Sequence, residues 1–358
     1  MIEKGRKGSL SFMEYQTTLS PHEPIAITIG NFDGIHLGHQ RLLHEAGELA
    51  RTLQCKAVLV TFSPHTLLVV RPDIDLRYLT TQDEKLALAK QYGGIADYIV
   101  ITFTPEVAAL SAEDFMTELC QRFSIQGLVA GADFSLGRHR MGNMAFLEQY
   151  GQQHNIRVYT VSLAEAHQNR ISSSRIRDLL SQGEVAQANE LLGHPVVISG
   201  IVKQGAQRGR ILGFPTANLH PEPRKLLPAD GVYAAIAHVQ KSQRRDLLAP
   251  SSVYKEDVAN LSSSGQGEGG SFKAETLGIE MKSVVNIGRR PTFDGKERLV
   301  EVHLLDADLD LYGQRLTVEF IERLRGEQRF PNIDALKAQI SADVQNAYQI
   351  FTVRRVSS

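Results

Sequence analysis

One change of rhythm constrains this chain more than any other feature. Up to about residue 182, short apolar runs alternate with helical spacings; beyond His194-Pro195 the short runs follow one another directly. In the first part Ile25 to Ile29, Lys56 to Phe62, Asp97 to Thr102, Gly127 to Gly131 and Ile156 to Ser162 read as strands. The segment from Gly38, then Asp83 to Tyr92, Ala112 to Phe123 and Asn143 to His154, have helical spacing. Strands joined through helices need crossover connections, which predicts an α/β unit with a parallel sheet. In the second part Val196 to Val202, Gly231 to Val239, Ser283 to Ile287, Leu299 to Leu304 and Leu316 to Leu324 read as strands. Helical spacing returns only at Ile333 to Tyr348, which predicts an antiparallel barrel or sandwich closed by a C-terminal helix.

At 358 residues the chain can hold two domains with separate cores. The rhythm places them at 16–182 and 195–352, with a short helical linker at 183–194. Residues 1–15 read as a flexible tail and lack the apolar centre of a signal peptide. Residues 248–273, which contain SSSGQGEGGS, read as a flexible insertion between strands. A net charge of −1 gives no global basic field, so nucleic acid is not an expected partner. No apolar run has the length of a membrane span, so no membrane partner is expected either. Cys55 and Cys120 lie in apolar segments and are expected to be buried free thiols, which suits a cytoplasmic setting.

The densest motif is IAITIGNFDGIHLGHQR, residues 25 to 41. A branched strand runs into a turn of Gly30, Asn31, Phe32, Asp33 and Gly34, and a helix follows, so His36 and His39 sit at a helix start. Unpaired N–H groups and the positive end of the helix dipole make such a place a phosphate site, and Gly38 allows close approach. Two imidazoles one turn apart can donate to oxygens that gain charge as a phosphate bond breaks. Taken alone, the pair is more often polar decoration of a helix start, or half of a metal site. Three further segments follow strand ends. TFSPH carries Phe62 and a rigid Pro. GADFSLGRHRMGN carries Asp133, a candidate for metal or ribose, and Phe134, a candidate for stacking on a flat ring. ISSSRIRDLL reads as a helix capped by Ser173, with Ser174 and Arg177 in its first turns, either a surface helix or a phosphate site.

The second part has its own constellation. GAQRGRILGFPTAN spaces Gly205, Gly209 and Gly213 by four, so its backbone can wrap phosphates, and Phe214-Pro215 gives the loop a shape. It is not a Walker A loop, because no Gly-Lys-Ser/Thr follows. Thr216 and Asn218 offer oxygen donors suited to Mg²⁺. Glu301, in VEVHLLD, alternates with Val300 and Val302 and is either a solvated sheet residue or a general base. Arg325 is either a surface charge or a planar group packed on a ring.

Together, GNFDGIHLGHQRLL, GRILGFPTANL, GVYA, VVNIGRRPTF, EVHLLD, DLYGQRL and EQRFPNIDAL resemble the bacterial bifunctional riboflavin kinase/FAD synthetase family, over about residues 20 to 350. That resemblance implies a Rossmann-like nucleotidyltransferase domain with a parallel sheet, then an antiparallel β-barrel with a terminal helix. It implies a transferase that phosphorylates riboflavin to FMN with ATP and adenylylates FMN with a second ATP. Its partners would be small molecules: riboflavin, FMN and ATP, with Mg²⁺ as cofactor. By the same resemblance His36, His39 and Arg177 stabilise the transferring phosphate, and Gly30, Asn31, Phe32, Gly38, Ser173 and Ser174 line the ATP. Phe62, Asp133 and Phe134 border the flavin in the first domain, and Arg325 covers it in the second. Gly205, Gly209, Gly213, Phe214 and Pro215 hold the kinase nucleotide, Thr216 and Asn218 its Mg²⁺, and Glu301 is the base. Ser174 stands where the family often has Thr, and the Gly/Ser-rich insertion is longer than the usual link.

Overall fold

Ile25, Ile27 and Ile29, each at most 4% exposed, make the central strand of a sheet covered on both faces. The structure, a computed structural model, describes residues 13–162, 171–204, 209, 212–239, 279–292, 295–307 and 309–356. The chain divides into two compact units, Met1–Ser173 and Ser174–Ser358.

The first unit runs β1 (Tyr15–Gln16), β2 (Pro24–Ile29), α1 (Leu37–Leu53), β3 (Lys56–Ser63), α2 (Thr66–Val70) and α3 (Gln82–Gly93). It continues with β4 (Asp97–Thr102), α4 (Pro105–Ala109), α5 (Ala112–Arg122), β5 (Ser124–Gly131), α6 (Met144–His154) and β6 (Arg157–Val161). Its six-stranded sheet has the order β1-β4-β3-β2-β5-β6. β2 to β6 are parallel, and β1 is antiparallel to β4. The chain steps outward from β2 through β3 to β4, then resumes at β5 on the other side of β2. The strand order therefore reverses between β2 and β5, the place where open α/β sheets bind ligands beyond their strand ends. α1 turns Leu43, Ala46, Leu49 and Ala50 inward, and burial of each Leu contributes roughly 1.5–3 kcal/mol.

The second unit takes in α7 (Ser173–Gln182) from Ser174 onward, then α8 (Val185–Leu192), β7 (Val196–Lys203), β8 (Ala217–Pro221) and β9 (Gly231–Val239). β10 (Ile279–Thr292), β11 (Gly295–Leu304), β12 (Arg315–Gly326) and α9 (Ile333–Val356) complete it. The six strands close as an antiparallel barrel, β10-β11-β8-β7-β12-β9. Tyr233 and Phe320 are fully buried and meet edge to face at 5.5 Å. On the opposite face of these strands, Val232, Ala234, Val284 and Ile321 cluster with Ala347 and Phe351 of α9. α7 is tied into this unit by the Ala229 N–H to the Leu180 carbonyl (2.8 Å) and by Arg323 to the Gln182 carbonyl (3.0 Å). The Asn189 amide fastens α8, donating to the Phe320 carbonyl and accepting from the Val196 N–H.

Three differences from the sequence reading have physical causes. The alternative of a sandwich is excluded by closure of the barrel. β8 starts inside the Gly205–Asn218 segment, which read as a phosphate loop; the barrel pairs it with β7 and β11. Order begins before residue 16: Met13 is 3% exposed in the first core, and Tyr15 pairs with Ile101. Residues 1–12 of the expected tail, the expected insertion 248–273, and Gly205 lie outside the described residues.

Candidate active sites

The signature turn of the first unit is held rigid from below. Gly30 donates to the Val60 carbonyl within β3, and the Asp33 carboxylate accepts from the Leu79 and Thr80 N–H groups, at 3.0 Å each. The Thr80 hydroxyl in turn accepts from the Gly34 N–H at 3.0 Å. Gly34 has φ of 91°, a conformation that costs glycine little. Phe32 and Ile35 also have positive φ, 48° and 41°, at roughly 1–3 kcal/mol of strain each. Both side chains are buried, which offsets that strain at about 1.5–3 kcal/mol apiece.

This turn aims two imidazoles. His36 is the N-cap of α1, and its Nδ1 accepts from the His39 N–H at 3.3 Å. An accepting Nδ1 leaves the proton of a neutral ring on Nε2. The His39 ring stacks on His36 at 3.6 Å and leans on Phe32 at 4.9 Å. Burial, then His36, then Lys85 hold the His39 pKa well below the ordinary histidine value, so its ring is neutral. Its Nδ1 is buried without a hydrogen-bond partner among the described residues. No acidic residue occupies the first turn of α1, so its positive end is left for an anion.

Sequence reasoning missed Lys85. Its side chain looks like one more helix charge in α3, yet it is 6% exposed. The ammonium donates to the Thr61 hydroxyl (3.2 Å) and the Gln82 side-chain oxygen (3.4 Å), and the Thr61 hydroxyl donates on to the Asn31 carbonyl. Burial pulls its pKa down to about 8, and the Asp33 charge opposes that shift.

The other predicted residues of this unit take varied places. Asn31 pairs its side-chain amide with the hydroxyl and N–H of Thr66, bracing the turn against α2. Phe62 packs on Phe103 and Phe115, while Phe134 lies partly buried against the same core. Asp133 is exposed just beyond β5, across the switch point from the signature turn. Ser173, expected as a cap, is the first residue inside α7, and its hydroxyl donates to the Asp33 carbonyl at 2.8 Å. Ser174 and Arg177 follow on α7 in the second unit; Ser174 is exposed and Arg177 half-buried.

In the second unit a cavity of about 430 Å³ opens on the outer face of the barrel, bounded by Leu336 and Ile340 of α9. Register places Asn218, Glu301 and Asn286 side by side on β8, β11 and β10. Glu301 lines the cavity while Val300 and Val302 lie in the barrel core. The Asn286 amide, which the sequence reading passed over, donates to the Glu301 carboxylate at 3.3 Å. His303 donates from Nδ1 to the Pro215 carbonyl at 2.8 Å and meets the Phe214 ring edge to face. Those contacts shape the loop that presents Thr216, and the Phe214 N–H closes it onto the Gly209 carbonyl at 2.9 Å. A side chain at Gly209 would come within 2.4 Å of the Phe214 carbonyl and 3.1 Å of the Thr216 hydroxyl. Gly213 takes φ of 90° in the same loop. Arg325, expected over a flavin, spends its guanidinium on Asp343 of α9, with contacts of 2.8 to 3.0 Å, and lies 5.7 Å from the Phe330 ring centre.

Two family models match the chain: FAD synthetase over residues 19–175 and riboflavin kinase over residues 192–351. A protein of Escherichia coli K12, described as bifunctional riboflavin kinase/FMN adenylyltransferase, is 34% identical over 337 residues, spanning 93% of this chain and 94% of its own length. The chain belongs to this bifunctional family. A member from Bacillus subtilis 168 is 32% identical over 330 residues, spanning 91% of this chain and 92% of its own. A crystal structure described as a macrolide-efflux protein from Streptococcus pneumoniae aligns with a TM-score of 0.74 at 26% identity, covering 92% of this chain and 99% of that one. That description stays with that protein; among the described residues here, no helix is long and apolar enough to cross a membrane. The two family models divide between the signature turn and the barrel cavity, one to each.

Proposed function

We infer that the second unit phosphorylates riboflavin to FMN with ATP, and that the first adenylylates FMN with a second ATP to give FAD and pyrophosphate. The observation that carries this reading is the contrast in chemistry: a paired carboxylate in the barrel cavity, and stacked imidazoles, His39 neutral, at the helix start. The functional modules we assign are 16–182 and 195–352, joined by 183–194; the bond from Ser173 to Asp33 supports keeping the start of α7 with the first. The free thiols Cys55 and Cys120, half-buried rather than fully buried, support a cytoplasmic setting.

Phosphorylation starts from a hydroxyl, which needs a base. Glu301 takes the proton of the ribityl 5′-hydroxyl as its oxygen bonds to the γ-phosphorus and the bond to the ADP oxygen breaks. Asn286 fixes the carboxylate from one side, so the base is aimed before substrate arrives. Thr216 and Asn218 fit Mg²⁺: they are oxygen donors, and the bare Gly209 backbone leaves the Thr216 hydroxyl room for a phosphate-bound ion. Bound there, Mg²⁺ would neutralise charge on the transferring phosphate. The backbone of Gly209, Gly213, Phe214 and Pro215 shapes the nucleotide loop, and Arg325, locked to Asp343, offers the flavin a fixed planar face.

Adenylyl transfer needs no base, because the FMN phosphate is already an anion. Its oxygen attacks the α-phosphorus while the bond to pyrophosphate breaks. Nε2–H of His36 and the N–H of the neutral His39 ring donate to the oxygens that gain charge. Gly30 and Gly38 let the triphosphate lie against backbone N–H groups, with Asn31 and Phe32 holding the turn in place. Phe62, Asp133 and Phe134 border the flavin across the switch point. Incubation with riboflavin, ATP and Mg²⁺, followed by chromatography, should show FMN rising and then FAD. FMN without FAD, or neither, would overturn the reading.

A further inference from the structure

An ammonium taken out of water is costly unless an anion or several hydrogen bonds hold it. Lys85 breaks that expectation. Among the described residues its hydrogen bonds go to two neutral oxygens, of Thr61 and Gln82, so one of three N–H donors has no partner. The charges facing it are few. The Asp33 carboxylate from the turn is committed to the Leu79 and Thr80 N–H groups, and His36 and His39 come from α1. Glu84, its neighbour on α3, turns its carboxylate back to the Thr81 N–H in a capping box. Asp33 fixes Leu79 and Thr80, the strap that leads into α3, so the same carboxylate that shapes the turn also places Lys85 beneath it.

We propose that Lys85 is a positioning residue for adenylyl transfer. Through Thr61 and Asn31 it braces the signature turn, and its charge adds to burial in keeping the His39 ring neutral. A cation behind a neutral imidazole strengthens the ring as a donor, and it does so in a water-poor site where the field is weakly screened. A positive ring in place of the neutral one would repel the lysine. The site thus obtains positive potential for ATP from a group that need not touch the reacting atoms.

This inference rests on the reading of His36 and His39 given above, and its test separates the two. The lysine is charged below about pH 8 and neutral above it. In the wild-type chain, kcat/KM for FAD formation from FMN should therefore fall as pH rises through that value; absence of this limb overturns the proposal. Lys85→Met should lower the same constant about 10²-fold at neutral pH, with riboflavin phosphorylation unchanged. Its first unit should melt no lower than wild type, since a buried charge has been removed; a purely structural lysine would give the opposite. Lys85→Arg, with a charge that does not titrate, should recover most of the rate and lose the limb near pH 8. A folded Lys85→Met that makes FAD within about threefold of wild type, or a Lys85→Arg limb at the same pH, contradicts the role. If FAD formation also survives alanine at both His36 and His39, the site reading itself fails, not only the part given to Lys85.

Discussion

In the first unit the groups we assign to the chemistry stand where a parallel strand ends and a helix begins; in the second they stand on the outer face of a closed barrel. The first therefore inherits a positive helix end and adds donors to it, His36 and His39, with a buried lysine behind. The second builds its polarity at Glu301 from a row of side chains on three neighbouring strands. The difference follows the nucleophile. A phosphate anion needs its approach made easy, while a hydroxyl needs its proton removed.

The largest break in this comparison should come from His36→Ala combined with His39→Ala. Each lost donor costs about 10²- to 10³-fold, so FAD formation should fall by roughly 10⁴-fold or more, while FMN accumulates from riboflavin. Chromatography of the reaction checks it, and continued FAD formation would remove the signature turn from the mechanism.

A smaller and different effect is expected at Asp343→Ala. It strands Arg325, whose side chain is 15% exposed, without the carboxylate that is itself 3% exposed. Breaking such a pair costs about 3–5 kcal/mol. The melting transition of the second unit should drop by roughly 10 °C and that of the first should hold, as calorimetry would resolve. Equal drops in both would show that the units do not unfold separately.

Least is expected from Asn286→Ala, which removes one amide donor from Glu301. A hydrogen bond to a charged group is worth about 1.5–3 kcal/mol, so the kinase rate should fall roughly tenfold or somewhat more. FAD formation from FMN should not move. An unchanged kinase rate would leave Glu301 without its positioning partner.

Much of this was legible in the sequence because it is carried by pattern. The five parallel strands appear as apolar runs, and His36 and His39 sit in a strand-turn-helix context that few other functions require. What stayed hidden depends on pairing across the fold. β8 is five residues of mixed polarity whose strand character comes from its neighbours β7 and β11. β1 is two residues long and has no period to read. Lys85 carries no mark of burial in a helix whose other face is charged, and Asn286 gains meaning only when register sets it beside Glu301. The family resemblance implies Arg325 over the flavin, but its bond to Asp343 joins a strand to a helix that no local spacing connects.

The central claim is that base-dependent and base-independent phosphate chemistry occupy separate units of one chain. It is tested most directly by giving folded Glu301→Ala riboflavin in one reaction and FMN in another, each with ATP and Mg²⁺. FMN formation should fall by about 10²- to 10⁴-fold, while FAD should form from FMN at the wild-type rate. A parallel fall in both, or undiminished FMN formation, would contradict the account.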